Sequence, residues 1–451
     1  KLSALFLALV MAFSLAIPAG AANWDEDLTG HIVILHTNDV HGAISGYAKV
    51  AALKDAYEAR GAYVLLMDAG DFSQGSTSVN VSEGATAVEL MNMAGYDVAT
   101  TGNHEFDFGY ANLKTLMESA EFPILAADAF TAEGDLAMDG DNLTFQLGDV
   151  TVGVFGLATP ETATKAHPAK LEGVTFLAED ELFACAQEQV DELTAAGCDY
   201  IIALGHLGID EESTGNRSID LLEKVEGIDV FIDGHSHTKM ECEWVKDLSG
   251  KAVALTQTGS YFANVGEMTI KTDGSIATRL ISSYEGSDSV VEGIQTAWVA
   301  SVDDMLGEKI AASEINFYVT DPETGNRRIR TAETNLGDFV ADGIYTYFNE
   351  VEQLHCDIAI MNGGGIRADV NAGYWTFKTC KQVSPFGNVA CLMSVTGKQI
   401  QDALEFAARF AGEGGKENGG FLHVAGAAYE IHTDLPNTVQ TDEKIDLFYC
   451  F

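Results

Sequence analysis

The sequence predicts an α/β layered fold, and three observations carry that expectation. Short apolar runs at 31–35, 63–67, 96–100, 200–204 and 228–232 are rich in Val, Ile and Leu and closed by Gly or Asp, as buried strands are. Helix-like stretches at 48–60, 86–93 and 179–196 separate several of them, and strands alternating with helices build layered α/β domains. Each run leads into a polar loop with His, Asp or Asn. In such folds, sites collect just beyond the carboxyl ends of the strands.

At 451 residues the chain exceeds the comfortable size of one core, so two domains are expected. A second unit is expected after Ser283. Residues 290–313 read as one long, mostly polar-faced helix connecting the domains. Beyond it, 335–349 reads as helix, 358–361 as strand, 363–365 as a tight loop and 412–420 as a flexible surface loop. Seven cysteines show no Cys-x-x-Cys pairing, so neither a zinc ribbon nor a disulfide scaffold is indicated. A bridge among Cys356, Cys380 and Cys391 is one reading, and burial as small hydrophobes is the other.

The charge balance is strongly acidic. Twenty-five Lys plus Arg against 68 Asp plus Glu give a formal net charge of −43. Such a surface repels a nucleic-acid backbone, whose binding relies on Lys and Arg neutralising phosphates. A small anionic substrate requires metal ions and a few arginines to reverse the field locally. At the start, Lys1 leads an apolar run over 2–17, and Pro18 with Ala19, Gly20, Ala21 and Ala22 offers an Ala-x-Ala cleavage site. Residues 1–22 therefore read as a signal peptide, which places the protein outside the cell, on its surface or in the periplasm. The run is short for a membrane span, and no integral span is expected in the mature chain.

Five loops carry the chemistry. They read Thr37-Asn38-Asp39-Val40-His41-Gly42, Asp68-Ala69-Gly70-Asp71, Gly102-Asn103-His104-Glu105, Gly205-His206 and Gly234-His235-Ser236-His237. Together they supply carboxylates, imidazoles and an amide without a thiolate, a mixture that suits Zn, Mn, Fe or Co more than Ca or Mg. Alternate residues of an extended loop point the same way, so Asp39 and His41 can act together, as can His235 and His237. Taken singly each piece is weak. His206 alone reads as a hydrogen-bonded structural histidine, and Asp71 alone as a helix cap. Five such pieces, each after a buried strand, point to a metal centre.

In this order, TNDVHG, DAGD, GNHEFD, GH and GHSH resemble the calcineurin-like metallophosphoesterases of the bacterial 5′-nucleotidase and UDP-sugar hydrolase branch. The later segments TNLGDFVADG, MNGGGIR and SPFGN are similar to that family's C-terminal substrate domain. The resemblance implies a four-layer sandwich, with helices outside two central sheets, over 27–285. It also implies a linker helix over 286–315 and a smaller α/β substrate domain over 316–451. Carried over, it gives Asp39, His41, Asp71 and His237 to one divalent ion and Asp71, Asn103, His206 and His235 to a second, with Asp71 bridging. His104 is then no ligand but a stabiliser of charge beside the phosphate, oriented by Asp107. Asp107 by itself also reads as a capping carboxylate. Arg330, Asn362 and Arg367 correspond to substrate-contacting groups, Phe386 to an aromatic that stacks on a base and Asn388 to a residue contacting it. Read without the resemblance, Phe386 is core and 363–365 a turn.

The implied activity is removal of phosphate from nucleoside 5′-monophosphates with two transition-metal ions such as Zn or Mn. UDP-sugar hydrolysis and 2′,3′-cyclic-nucleotide phosphodiesterase with 3′-nucleotidase activity are the alternatives within the family. A catalytically impaired surface-binding protein is the alternative from another class. Members continue beyond the FLHVAGAAYEIH-like segment to a second stacking Phe and a Gly-Gly-Asp loop, whereas this chain stops at Phe451. The substrate domain is therefore expected to be incomplete.

Overall fold

The computed structural model describes residues 27–386, 388–412 and 416–439. The expected leader at 1–22, part of the 412–420 loop and residues 440–451 lie outside them. In chain order the first strands are β1 (Ile32–Thr37), β2 (Tyr63–Asp68), β3 (Val98–Thr100), β4 (Ile124–Leu125), β5 (Ala129–Phe130), β6 (Asn142–Leu147) and β7 (Val150–Leu157). They are followed by β8 (Thr175–Phe176), β9 (Tyr200–Gly205), β10 (Val230–Ile232), β11 (Lys239–Lys246), β12 (Ala252–Thr258), β13 (Val265–Ile270) and β14 (Ile276–Ile281). All five predicted runs are among them.

Two six-stranded sheets form, ordered β14-β13-β1-β2-β3-β4 and β11-β12-β10-β9-β7-β6, while β5 and β8 pair as a small ribbon. Strands β1 to β4 run parallel, as do β7, β9, β10 and β12. Antiparallel β14, β11 and β6 form three of the four edges, and parallel β4 forms the other. Both faces of each sheet are covered, which is why the runs read as unbroken apolar stretches rather than alternating ones. Along β1, Ile32 and Ile34 pack between the sheets with Met67, Val154, Ile202 and Ile232. Their neighbours Val33 and Leu35 face outward, as the two-residue period requires. Helices Tyr47–Glu58, Ala85–Ala94 and Tyr110–Ser119 cover the first sheet. Asp180–Ala195 and Ser218–Leu222 cover the second. The order helix, sheet, sheet, helix is the expected four-layer sandwich. Each fully buried Ile, Leu or Val contributes about 1.5–3 kcal/mol to holding it.

The helix expected over 290–313 is shorter, and it is not a free connector. It spans Ser289–Leu306, and the Asp288 carboxylate caps it by accepting from the Val290 and Val291 N–H groups at 2.9 Å each. Val291 is buried in the first unit's core. The Trp298 indole donates to the Ser78 carbonyl at 2.6 Å, and the Gln295 amide donates to the Ile44 carbonyl. The helix thus lies as a further outer-layer member on the first sheet. After Gly307, Lys309–Ser313 leaves as strand β15. Ile310, Ala311 and Ala312 fit a helix locally, but their pairing with a distant strand overrides that preference.

The remaining strands are β16 (Ala359–Asn362), β17 (Gly373–Thr376) and β18 (Leu422–Ala425). β15 pairs with β17 and β16 with β18, both antiparallel. Helix Asn335–Thr346, capped by the Thr334 hydroxyl accepting from the Gly337 N–H at 3.1 Å, lies across β16 and β18. Phe317, Ile329, Leu336, Ile366 and Trp375 form one small core. Ala341, Phe348, Cys356, Ala359 and Ala425 form another. Cys185, Cys198, Cys242, Cys356, Cys380 and Cys391 are all free, so the bridge considered among Cys356, Cys380 and Cys391 is absent. Among the described residues no helix is long and apolar enough to cross a membrane.

Candidate metal centre

The carboxyl ends of β1, β2 and β3 from one sheet and of β9 and β10 from the other deliver the five loops to one place. The turns there are severe. Asp39, His41, Asp71, His235 and His237 hold φ values of 49°, 44°, 62°, 73° and 53°, a left-handed backbone that costs a non-glycine residue on the order of 1–3 kcal/mol. Gly70 (φ 89°) allows a close approach, since a Cβ on it would lie 2.5 Å from the Gly102 nitrogen.

Three overlapping groups of metal-type side chains result, each with its ligand atoms within 4.8 Å of one another. They are Asp39 with His41 and His237, Asp39 with Asp71 and His206, and His41 with Asp71 and His104. His206 Nε2 lies 3.2 Å from Asp71 Oδ2 and 3.8 Å from Asp39 Oδ1. His237 Nε2 lies 3.4 Å from Asp39 Oδ1 and 2.9 Å from His41 Nε2. His206 Nδ1 donates to the Ala69 carbonyl at 2.6 Å, which turns Nε2 toward the two carboxylates. That atom and Asn103 Oδ1 are both buried without a hydrogen-bond partner. Polar atoms buried without a partner are costly, and a cation set among these carboxylates, imidazoles and the amide would satisfy them. The residues present fit metal binding.

Electrostatics agree. Burial pushes the Asp39 carboxyl up to about 7, with His206 opposing and Asp71 reinforcing the rise. Burial disfavours charge on His206, yet Asp71 and Asp39 outweigh it and hold the ring up to about 10. Carboxylates that attract a proton this strongly attract a metal ion by the same field.

His104 sits at the rim of this centre. Its Nδ1 is 2.7 Å from Asp107 Oδ2, and its backbone N–H donates to Asp71 Oδ1 at 2.9 Å. Burial opposes protonation, but Asp107 and Asp71 raise the ring to about 9, which favours its cationic form. His235 differs from the other histidines. It lies beside His206, with ring centroids 5.2 Å apart, but joins none of the three groups. Its Nε2 is 2.7 Å from Glu161 Oε2, and its backbone N–H donates to both oxygens of Asp39 at 3.0 and 3.2 Å.

Several organising residues carry no role in the sequence reading. Glu105 is fully buried and accepts from the N–H groups of Asp71, Phe72, Ser73 and Gly102 at 2.7–2.9 Å. It ties the second loop to the third. Asp233 accepts from the Leu207, Gly208 and Gly234 N–H groups and the Gln257 amide at 2.9–3.1 Å, which ties the fourth loop to the fifth. Asn38 donates to Asp39 Oδ2 at 2.6 Å and accepts from Thr258. Their place within or directly beside the five loops was the available signal.

From the second unit, Phe386 reaches the same rim. Its ring lies 6.2 Å from that of His104, nearly parallel at 25°, and it is half-buried rather than core. The Pro385 carbonyl accepts from the Asn80 amide at 3.0 Å, which anchors this loop on the first unit. The Arg367 guanidinium lies over Phe386, 5.5 Å from its centroid. It donates to the Tyr261 hydroxyl at 3.1 Å and the Gly364 carbonyl at 3.3 Å. Tyr261 in turn packs 5.3 Å from the His41 ring. Burial, then Arg327 and Arg367, pull Arg330 down to about 10, the signature of converging cations. The Asn362 amide donates to the Gly419 carbonyl at 3.1 Å, holding the Gly363–Gly365 turn in place. Asn388 is exposed.

Residues 32–239 match the family described as calcineurin-like phosphoesterase, and residues 311–445 match the family described as 5′-nucleotidase, C-terminal domain. With the site's geometry, these matches define a metal-dependent phosphoester hydrolase. The chain is 30% identical over 443 residues to the trifunctional nucleotide phosphoesterase protein YfkN of Bacillus subtilis, covering 88% of this chain but 29% of that protein. It therefore spans less than a third of that relative. It is 28% identical to the 5′-nucleotidases of Bos taurus and Homo sapiens, over 91% and 92% of this chain and 78% and 77% of theirs. The crystal structure of a 5′-nucleotidase precursor from Thermus thermophilus superposes with a TM-score of 0.72 at 27% identity, covering 90% of this chain and 83% of that one. The chain belongs to the calcineurin-like phosphoesterases that carry a 5′-nucleotidase C-terminal domain.

Proposed function

We propose that the chain is a secreted hydrolase that removes phosphate from nucleoside 5′-monophosphates with two bound divalent transition-metal ions, Zn or Mn by their donor set. The observation that carries this reading is the cluster of metal-type side chains, with Phe386 and Arg367 at its rim. Asp39, His41, Asp71 and His237 hold one ion, and Asp71, Asn103, His206 and His235 the other. When bound, such a pair supplies Lewis-acid stabilisation of a phosphoester and a nucleophile at neutral pH. His104, kept cationic by Asp107, donates to the phosphoryl oxygens as their charge grows, and its preset orientation costs nothing at the moment of reaction. Arg367 and Arg330 attract the anionic nucleotide in a chain whose net charge of −43 would otherwise repel it. Phe386 offers a face for the base. Secretion is supported by the leader read at 1–22, and the same net charge disfavours a nucleic-acid polymer.

Phosphate release from AMP, 3′-AMP, UDP-glucose and 2′,3′-cyclic AMP tests the substrate class. AMP is expected to give the highest kcat/KM. Preference for UDP-glucose or the cyclic nucleotide would move the chain to a sister activity, and no turnover of any of the four would favour a binding protein.

Arg367→Ala is expected to raise KM for AMP by about ten- to a hundredfold, the loss of a hydrogen bond to a charged group. The rate on p-nitrophenyl phosphate, which lacks a nucleoside, should change far less. Equal losses on both substrates would place Arg367 in the chemistry itself.

A further inference from the structure

β7 is an inner parallel strand like those that carry the five loops, yet it leads into no metal-ligand motif in the sequence. It runs instead into Ala158-Thr159-Pro160-Glu161 and then the short helix Thr162–Lys165. This segment returns to the centre from outside. Glu161 Oε2 lies 2.7 Å from His235 Nε2 and 2.8 Å from Lys165 Nζ. The Glu161 side chain is only 15% exposed and that of His235 only 6%.

We propose that Glu161, held by Lys165, is a positioning residue that sets the tautomer of His235 and presents its Nδ1 to the second metal ion. The argument is one of protons. Two acceptor atoms 2.7 Å apart repel, so a hydrogen lies between Nε2 and the carboxylate. Lys165 Nζ lies 2.8 Å from the same oxygen and 3.3 Å from His235 Nε2; its charge keeps Glu161 ionised, and the shorter contact of Nε2 with the carboxylate assigns the hydrogen to the imidazole. A neutral ring with Nε2–H has its lone pair on Nδ1. His206 is the mirror case, with Nδ1 engaged by a carbonyl and Nε2 turned to the Asp71 and Asp39 carboxylates. A carboxylate behind a metal-binding imidazole fixes the ring's orientation and raises its basicity. His235 also needs such a hold. Its left-handed backbone (φ 73°) is pinned at the N–H by Asp39, and Glu161 is the second anchor, at the far end of the ring.

The inference rests on the two-ion reading above, and the test separates the two. Metal-stripped full-length chain is titrated with Mn²⁺, alongside His235→Ala, Glu161→Ala and Glu161→Gln. Circular dichroism of each variant checks its fold. Nitrogen-15 spectra of histidine-labelled protein read the ring tautomers. Wild type is expected to bind two ions, and His235→Ala to lose the weaker one. Glu161→Ala should weaken one ion about 10- to 100-fold while the other binds as in wild type. It should also lose the Nε2–H signature of His235. Glu161→Gln, whose carbonyl still accepts a hydrogen bond but lacks charge, should fall between and stands in if the alanine variant does not fold. If His235→Ala binds both ions like wild type, the ligand reading fails. If His235→Ala loses an ion but both Glu161 variants bind two with wild-type affinity and an unchanged tautomer, the positioning role is overturned.

Discussion

Replacing His104 by alanine is expected to lower kcat by about two to four orders of magnitude while metal content stays near wild type. The ring is fixed by Asp107 at 2.7 Å and is drawn toward its cationic form by Asp107 and Asp71. A charged donor held still at the rim of a metal centre stabilises developing negative charge more than a mobile one, because no reorganisation is needed. His104 nevertheless belongs to one of the three metal-type groups, with His41 and Asp71. Proximity alone therefore leaves open whether it binds an ion or stands beside one. Nδ1 is spoken for by Asp107, and the ring stands beside Phe386 and the Arg367 that covers it, which favours the second role. Steady-state kinetics with elemental analysis of the same preparation decides. A variant that loses metal in proportion to activity would make His104 a ligand.

Asp71→Asn is expected to empty both metal sites and lower activity by about two to three orders of magnitude, the scale for losing a key electrostatic group. Burial opposes ionisation of Asp71, yet His206 and then His104 hold its carboxyl well below the usual carboxylate range. It is thus the charged centre to which the neighbouring imidazoles are arranged. His206 and His41 approach its Oδ2 at 3.2 and 3.8 Å, while Oδ1 accepts from the His104 N–H. Asparagine keeps the shape and removes the charge. Elemental analysis showing one site lost and the other full would remove the bridging role from Asp71.

The strands and their loops were legible because burial on both faces leaves apolar runs that end abruptly in chemistry, as Ile32 to Thr37 ends in Asn38-Asp39. What was not legible depends on approach in space. Glu105 sits inside a recognised motif, but its work is to collect four N–H groups from two loops, and spacing along one loop does not reveal that. Asp233 is hidden for the same reason. Glu161 lies in a loop, Ala158-Thr159-Pro160-Glu161, that holds no His or Asp, and only the approach of its carboxylate to His235 marks it. The connector helix was drawn too long because Lys309–Ser313 is locally compatible with helix, and the ladder to β17 is non-local. Cys356, Cys380 and Cys391 could not be paired or separated by sequence, because the geometry of a bridge depends on distances between elements.

The central claim is that the loops beyond five strands enclose two metal ions joined through Asp71. Anomalous diffraction from crystals of the chain loaded with Mn²⁺ tests it most directly. Two peaks are expected, one among Asp39, His41, Asp71 and His237 and one among Asp71, Asn103, His206 and His235, both in contact with the Asp71 carboxylate. A single peak, or two peaks with Asp71 bound to only one, would contradict it.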